Sequence, residues 1–186
     1  MKWQVPLLAL ALLEPVIRLD HTVSRAVQGL RRPALEGPMR QLTSAGKPAT
    51  VVSAVLAVAL VDEISGIVTL RGCVAILIPV NLAVEGLKWA ANRTRPDGER
   101  RRSNSSFPSS HAANALALSW ILSRRWPRAT IPFHALAALV MLSRLYLNRH
   151  FLSDVVVGAA IGAGMAVLVT RIWPALDPRK VGSAGK

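Results

Sequence analysis

Long apolar runs alternate with short polar, basic stretches through most of the chain. This alternation is typical of a membrane protein built from helices. Four of the runs are of roughly helix-spanning length, although several fall short of the ~20 residues usually needed to span. They cover residues 48–61, 67–87, 129–147 and 155–173. With shorter runs at 3–19 and 109–121, the pattern predicts an all-α, polytopic membrane helical bundle of about six transmembrane helices.

The first apolar run, residues 3–19, has two interpretations. Lys2 precedes the run, as in a signal peptide, but Glu14, Pro15 and Arg18 follow its apolar part where a small-residue cleavage site would be expected. We therefore favour an uncleaved, short first membrane helix. The signal peptide stays open as the alternative.

Residues 20–47 are polar and basic, with apolar residues at scattered helical spacings. Because Pro33, Gly37 and Pro38 interrupt the segment, we predict short amphipathic helices that lie in the membrane interface. A solvated loop is an equally good interpretation of any single piece. We expect residues 62–66 to form a tight polar turn, residues 88–107 a polar loop, and residues 174–186 a polar tail.

We find no internal repeat and predict a single membrane-embedded domain over residues 1–186. The last helix carries Gly158 and Gly162, and glycines at this G-x-x-x-G spacing let membrane helices approach closely. Pro108 and the serines after it are start signals for the helix at 109–121. The alternation of spans places the loops before residue 111 and before residue 154 on the same side.

Composition supports a membrane protein with basic edges. The chain is 52% hydrophobic and only 18% charged, yet its formal net charge is +13. Nucleic-acid-binding domains are also basic, but they lack repeated apolar runs of helix length, so we expect no nucleic-acid partner. Basic residues near a membrane instead attract anionic lipid head groups. Lysine and arginine occur in loops on both sides, so the positive-inside rule does not decide the orientation. The single cysteine, Cys73, cannot form an internal disulfide.

His150 and Asp154 are four residues apart, so they share a face if the segment is helical. A carboxylate beside an imidazole fixes the tautomer and stabilises a positive ring, which leaves the other nitrogen free to attack. Alone, the pair has a simpler explanation: an aspartate capping the next helix and an interfacial histidine.

The stretch from Ser109 through Ser110 to His111 opens a helix, and a helix N-terminus offers free N–H groups to a phosphate. His111 could protonate a leaving oxygen. A capped helix with an ordinary histidine is the simpler explanation. Lys88, Arg95 and Arg144 could stabilise the charge of a phosphoryl group in transfer, whereas residues 100–102 are better explained as a solvated basic patch.

Together these clusters are far more specific than any one of them. The order Lys88-x6-Arg95-Pro96, Pro108-Ser109-Ser110-His111, Ser143-Arg144-x5-His150-x3-Asp154 resembles the three-part signature of the type 2 phosphatidic acid phosphatases, also called lipid phosphate phosphatases. It is also similar to the site of bacterial acid phosphatases and vanadium haloperoxidases. The resemblance covers residues 88–154, and no motif covers the first 47 residues.

The resemblance implies a role for each matched position. His150 would be the nucleophile that forms a phosphohistidine, Asp154 would orient it, and His111 would be the general acid. The phosphate would be held by Lys88, Arg95, Arg144, Ser109 and the backbone N–H of Ser110. The family needs no metal or cofactor, and the sequence shows no carboxylate cluster for one.

One position departs from the family pattern, where Ser110 replaces the usual glycine of Pro-Ser-Gly-His. A serine would be strained there if the backbone needed a positive φ. Because Ser110 lies at a helix start, we expect ordinary helical backbone with its N–H available.

The function that the resemblance implies is hydrolysis of a lipid phosphate or lipid diphosphate at a membrane. Polyprenyl diphosphate, phosphatidic acid, phosphatidylglycerophosphate and lipid A phosphate all fit as substrates, and membrane lipids are the expected surroundings. The alternatives are a phosphotransferase on the same site and an inactive membrane protein that binds anionic lipids. The family pattern implies a multi-pass protein of the cell membrane with its site facing the periplasm or outside; the sequence leaves the oligomeric state open.

Overall fold

The computed structural model of the chain describes residues 7–61, 66–99 and 104–178. Within these ranges it contains seven α-helices and no strand, which confirms the all-α prediction. The helices are α1 (Leu7–Gly29), α2 (Pro33–Ser44), α3 (Pro48–Val61), α4 (Gly66–Ala91), α5 (Ser110–Arg125), α6 (Thr130–Tyr146) and α7 (Leu152–Ile172). Short 3-10 turns at Pro127–Ala129 and Pro174–Leu176 precede α6 and follow α7.

The number of spans differs from the prediction of about six. Among the described residues, three helices are long and apolar enough to cross a membrane: α4, α7, and α6 together with the turn before it. The bent pair of α2 and α3, with an angle of 59° between its parts, could add a fourth. Six spans are not confirmed, because α5 has only 16 residues and α1 carries charged and polar side chains along its second half.

The N-terminal third is more regular than the sequence predicts. The first helix does not end at residue 19 but continues to Gly29, and α2 runs through Gly37 and Pro38 without a break. Both helices pack against the rest of the bundle, α1 on α6 and α7, and α2 on α6. This packing compensates for the hydrogen bond that a proline removes, so the local breakers do not set the helix ends.

Helix α5 lies at the centre and packs against α4, α6 and α7. Small side chains on α5, such as Ala113 and Ala117, are fully buried against them. A side chain at Gly158 of α7 would collide with the backbone carbonyl of Ser109, and one at Gly162 with that of Ala113. The close approach that the G-x-x-x-G spacing predicts is therefore present, with α5 as the partner.

Two helix ends near the candidate site differ from the expected positions. Helix α4 continues to Ala91, so Lys88 lies in its last turn and not in a loop. Helix α7 begins at Leu152, so Asp154 lies inside its first turn and does not precede the helix. In both places the helix includes polar residues beyond the end of the apolar run. Contacts with other segments stabilise these helix ends, and a hydropathy pattern does not report such contacts.

The C-terminal tail is partly packed. Asp177 is buried and pairs with Arg124 of α5 at 2.6 Å, and the turn before it rests on α4 and α7. The polar tail, predicted to begin at residue 174, therefore begins after Asp177. The rest of the tail, residues 179–186, lies outside the described residues, as do most of the predicted turn, residues 62–65, and the basic patch at 100–102.

Candidate active site

Four helix ends meet at one end of the bundle: the C-termini of α4 and α6 and the N-termini of α5 and α7. They enclose a cavity with a volume of 350 Å³. Six of the eight predicted site residues line this cavity: Lys88, Arg95, Ser110, His111, Arg144 and His150. Clusters that lie far apart in the sequence are thus brought around one space, while Ser109 and Asp154 lie behind its wall.

The His150 ring is buried just before α7, and its Nδ1 lies 2.7 Å from the backbone oxygen of Ser106. A carbonyl oxygen only accepts hydrogen bonds, so Nδ1 carries the proton and Nε2 has a free lone pair. Burial, followed by the positive charges of Arg144 and Arg95, outweighs Asp154 and lowers the pKa of His150 to about 4. The imidazole is therefore neutral at neutral pH, the form that a nucleophile requires.

Asp154 lies closer to Ser106 than to the His150 ring. Its Oδ2 lies 3.8 Å from His150 Nδ1, farther than the Ser106 carbonyl. The same oxygen accepts hydrogen bonds from the Ser106 hydroxyl at 2.5 Å and from the Phe151 N–H at 2.8 Å. The carboxylate thus fixes the two chain segments between which the imidazole is held.

A buried charge network that the sequence analysis did not anticipate supports Asp154 from behind. Arg93 donates to Asp154 Oδ1 from Nη1 and to Asp20 Oδ2 from Nη2, both at 2.7 Å. Asp20 of α1 also accepts from the N–H and the hydroxyl of Ser153, at 2.8 and 2.6 Å. The Arg93 guanidinium lies over the Phe151 ring, 4.4 Å from its centroid. Helix α1 is in this way tied to the first turn of α7.

Two of the predicted phosphate-binding cations are held by neighbouring groups. Lys88 donates to Glu85, one turn earlier on α4, at 2.7 Å. Arg95 donates from Nε and Nη2 to the backbone and side-chain oxygens of Asn104, and from Nη1 to the backbone oxygen of Arg149. Each guanidinium has five N–H groups, so Arg95 keeps two for a ligand.

Arg144 is the least satisfied of the three cations. Its Nη1 donates to the Thr43 hydroxyl at 2.5 Å, while its buried Nε has no hydrogen-bond partner among the described residues.

The cations around the cavity also repel each other. Burial and the nearby charge of Arg149 hold the pKa of Arg95 below its usual value. Crowded cations with an unused donor favour an anion in the cavity, because an anion would relieve both the repulsion and the unpaired N–H.

The N-terminus of α5 presents Ser110 and His111 to the cavity, while Ser109 is fully buried. Ser109 is the N-cap of α5, and its hydroxyl accepts from the Ala112 N–H at 3.4 Å. Ser110 is the first residue of the helix and does not have a positive φ, so its replacement of glycine causes no strain. A Cβ at Gly46 would come within 2.6 Å of the His111 ring, so only glycine lets the chain after α2 pass this close.

Several lining residues were missed by the sequence analysis, and some of them had a detectable signal. Asn81 precedes Lys88 by two helical turns, and Asn114 follows His111 by one, so both share a face with a predicted residue. Their side-chain amides hydrogen-bond each other across α4 and α5. Glu85 likewise lies one helical turn before Lys88, and Arg149 directly precedes His150. No pattern in the sequence marked Gly46 and Asn104, which lie on other segments of the chain.

This arrangement can hold a phosphoryl group between cations with one neutral imidazole beside it and a second imidazole at a helix N-terminus. Such a geometry suits nucleophilic attack on phosphorus with acid assistance to the leaving oxygen. Among the described residues, no group of three or more His, Cys, Asp or Glu side chains is placed to hold a metal ion.

Comparison with known proteins places the site region in a recognised group. A sequence model of the PAP2 superfamily matches residues 68–177, more than half of the chain and all eight predicted site residues. The Lipid A 1-phosphatase of Porphyromonas gingivalis is 35% identical over 79 residues, which are 40% of this chain and 17% of that protein. The chain thus spans less than a fifth of this relative's length.

Two solved structures share the fold. One is a crystal structure of a transmembrane PAP2 type phosphatidylglycerolphosphate phosphatase from Bacillus subtilis, with a TM-score of 0.72, 26% identity, and coverage of 85% of this chain and 86% of that one. The other is Aquifex aeolicus LpxE, with a TM-score of 0.73, 21% identity, and coverage of 82% and 95%.

Proposed function

The chain belongs to the PAP2 superfamily, and from this premise we propose that it is an integral membrane phosphatase that hydrolyses a lipid phosphate or lipid diphosphate. The observation that carries the proposal is a cavity lined by two imidazoles and four cationic side chains, those of Lys88, Arg95, Arg144 and Arg149. Apolar helices of spanning length surround this cavity, so a lipid head group at the membrane surface is the natural ligand.

In the proposed first step, Nε2 of His150 attacks phosphorus. A P–N bond forms while the P–O bond to the lipid breaks, and His111 donates a proton to the leaving oxygen. In the second step, water attacks the phosphohistidine with His111 as general base. The P–N bond then breaks, inorganic phosphate forms, and His150 returns to its neutral state with its Nδ1–H still donating to the Ser106 carbonyl.

Charge stabilisation is assigned to Lys88, Arg95 and Arg144. The transferring phosphoryl group spreads negative charge over its equatorial oxygens, and fixed cations in a partly buried cavity stabilise that charge without reorganising. The N–H of Ser110 at the α5 terminus adds a backbone donor. We assign Ser109 and Asp154 positioning roles, because neither lines the cavity.

The relatives suggest substrates. The names of the relatives point to phosphatidylglycerophosphate and the 1-phosphate of lipid A, and polyprenyl diphosphate and phosphatidic acid likewise carry a terminal phosphoryl group on a membrane lipid. We propose that one of these lipids is hydrolysed without a metal. Activity should then be insensitive to a chelator, and a strict magnesium requirement would contradict the mechanism.

The decisive experiment measures phosphate release from short-chain lipid phosphates by the purified protein in detergent. We expect turnover by the wild type and a loss of ~10³-fold or more for His150→Gln, which removes the nucleophile but keeps a polar side chain. Vanadate should inhibit the wild type, because it can occupy the phosphoryl position and bond to His150. Equal inactivity of wild type and variant across the substrate panel would instead favour an anion-binding protein without catalysis.

We also propose that the protein lies in the cell membrane with its site on the outer or periplasmic side. The test is labelling of cysteines by a membrane-impermeant reagent in intact cells, with Cys73 replaced by alanine. A cysteine at the exposed position of Thr94, which precedes the cavity-lining Arg95 in the chain, should be labelled, and one at Arg128, at the opposite end of the bundle, should not. The reverse result would place the site on the cytoplasmic side.

A further inference from the structure

A second cavity lies beside the first at the same end of the bundle. It has a volume of 580 Å³ and is partly open to the surface. Arg144 and Arg149 line both cavities. The facing wall is formed by α2 and the turn after it, which together with the preceding chain supply three more cations: Arg31, Arg40 and Lys47.

The charges around this second cavity are unbalanced. Five cationic side chains line it, with Asp97 as the one lining carboxylate among the described residues. Arg149 is neutralised by Asp97 and Glu99, both at 2.7 Å. Arg31 pairs with Glu36 at 2.8 Å, which leaves Arg40 with a longer contact to the same carboxylate at 3.7 Å.

Two cations remain weakly neutralised in addition to Arg144. Lys47 has no ion pair with any described carboxylate, and Arg40 has only its long contact to Glu36. A cluster of exposed cations is commonly no more than a solvated basic surface. Here the cluster borders a concave space that shares a lining residue, the buried Arg144, with the cavity proposed to bind phosphate.

Specific contacts hold the wall that carries these cations. The Tyr146 hydroxyl of α6 accepts from the Arg32 N–H at 2.7 Å and donates to the Arg32 carbonyl at 3.1 Å. Gln28 donates from its amide to the last carbonyls of α6, and Thr43 accepts from Arg144. The cations of this wall are therefore held at a defined place relative to the first cavity.

We propose that the second cavity binds a second phosphoryl group of the substrate head group while the first group is transferred. This inference rests on the proposed phosphatase function and deepens it. Arg144 would contact both groups, with its Nη1 side toward Thr43 and its unpaired Nε available to a ligand oxygen. The chain would then favour head groups with two phosphoryl groups over those with one, through residues that lie outside the segment matched by the family model.

The test compares a short-chain prenyl diphosphate with the monophosphate of the same prenyl chain, both in neutral detergent. The quantity measured is the ratio of kcat/KM for the diphosphate to kcat/KM for the monophosphate. The double variant Arg40→Gln, Lys47→Gln should lower this ratio ~10-fold, because it removes two partly screened cation–phosphate contacts. The matched control Arg18→Gln, Arg25→Gln removes the same charge from exposed positions of α1 that do not line the cavity.

The control should keep the wild-type ratio. An equal fall of the ratio in both double variants would mean that net charge alone sets the preference, and it would overturn the proposal. A ratio unchanged by Arg40→Gln, Lys47→Gln would overturn it as well. A fall in rate by the same factor for both lipids would show that the cations only attract anionic substrate to the surface.

A binding measurement separates failure of this inference from failure of the proposed function. Inorganic pyrophosphate should raise the Tm of the wild type more than orthophosphate does at equal ionic strength. The Arg40→Gln, Lys47→Gln variant should lose that difference, and the control should retain it. If the wild type hydrolyses none of the lipids, the phosphatase proposal fails, but the Tm measurement still tests whether the second cavity binds a phosphoryl group. Equal Tm shifts for the two anions in the wild type would reject binding at the second cavity.

Discussion

The half of the chain that carries the motifs, α4 to α7, and the N-terminal half, α1 to α3, contribute to the cavity in different ways. The first supplies the groups assigned to touch the phosphoryl group, His111 and His150 among them. The second supplies contacts that hold those groups: Asp20 behind Asp154, Thr43 against Arg144, and Gly46 beside the His111 ring.

The difference between the halves shows that a motif can be complete in sequence and still depend on residues with no pattern of their own. Asp20 is 1% exposed and lies 133 residues from its partner Ser153 in the chain. A buried carboxylate is stabilised only where it is paired, so its position depends on the other half of the molecule. The four predictions below test this division of roles, starting from the largest expected effect.

In the motif half, His111→Gln should lower kcat for an alkyl phosphate by about 10³-fold, the range of general acid catalysis. The loss should be much smaller with p-nitrophenyl phosphate, whose leaving oxygen needs no proton. Comparison of the two substrates under single-turnover conditions measures this. Equal losses for both would mean that His111 binds phosphate and does not protonate the leaving group.

In the N-terminal half, Asp20→Asn should lower kcat by about 10-fold and destabilise the protein by roughly 3 kcal/mol, because one carboxylate of a buried network is lost. Asp154 would then be the one ion-pair partner of Arg93 among the described residues, and the guanidinium should shift together with the segment that holds His150. Kinetics and Tm report the two effects. Glu14→Gln on the same helix removes an exposed pair with Arg18 and should change neither; a silent Asp20→Asn would restrict α1 to a packing role.

The contact between the halves at Gly46 should be sensitive to a single methyl group. Gly46→Ala should lower kcat by a few-fold, because the new Cβ would push the His111 ring away from its position. Gly37→Ala on α2 is the control, since nothing lies within 4 Å of a Cβ there and alanine favours a helix. Equal kinetics for the two variants would show that His111 tolerates displacement.

The smallest expected effect concerns pH. The folded protein lowers the pKa of His150 from 6.5 to about 4, so folding favours the neutral ring. This contribution is fully present above pH 6.5 and is lost as pH falls toward 4, because the unfolded chain binds the proton more readily. The Tm of the wild type should therefore fall a few degrees more than that of His150→Gln between pH 7 and pH 4.5.

The control for the pH prediction comes from the other half. His21 lies exposed on α1, so His21→Gln should show the wild-type pH dependence of Tm. If the pH dependence of Tm were lost in His21→Gln and kept in His150→Gln, the effect would come from the N-terminal half, and the prediction would be contradicted.

The sequence was sufficient to predict the helical class and to place the motif residues at one end of the bundle. Apolar runs locate helices through their length, and their alternation locates the loops, so Lys88, His111 and His150 could be placed on one side without a structure. The number of spans could not be obtained in this way, because α5 is short and central and is buried by neighbouring helices rather than by its own length.

The supporting shell of the site lay beyond sequence reasoning. The nearest acceptor of the His150 Nδ1 proton is the Ser106 backbone oxygen, and a backbone atom carries no residue signature. The four-residue spacing brings Asp154 Oδ2 to 3.8 Å from His150 Nδ1, but His150 precedes α7, and the shortest hydrogen bond of the ring is to the Ser106 carbonyl. Nothing in the sequence distinguishes Arg93 from the many other basic residues of the same loop.

The glycines of α7 have a consequence for how ligands are exchanged. Gly158 and Gly162 bring the backbones of α5 and α7 together without space for a methyl group, and these helices carry His111 and adjoin His150. The two reactive rings therefore belong to one stiff block whose spacing is set by backbone contact. The turn between α2 and α3 contributes Gly46 to the cavity wall and is not part of this backbone contact, so a ligand that needs more space should displace this turn before it changes the distance between the two rings.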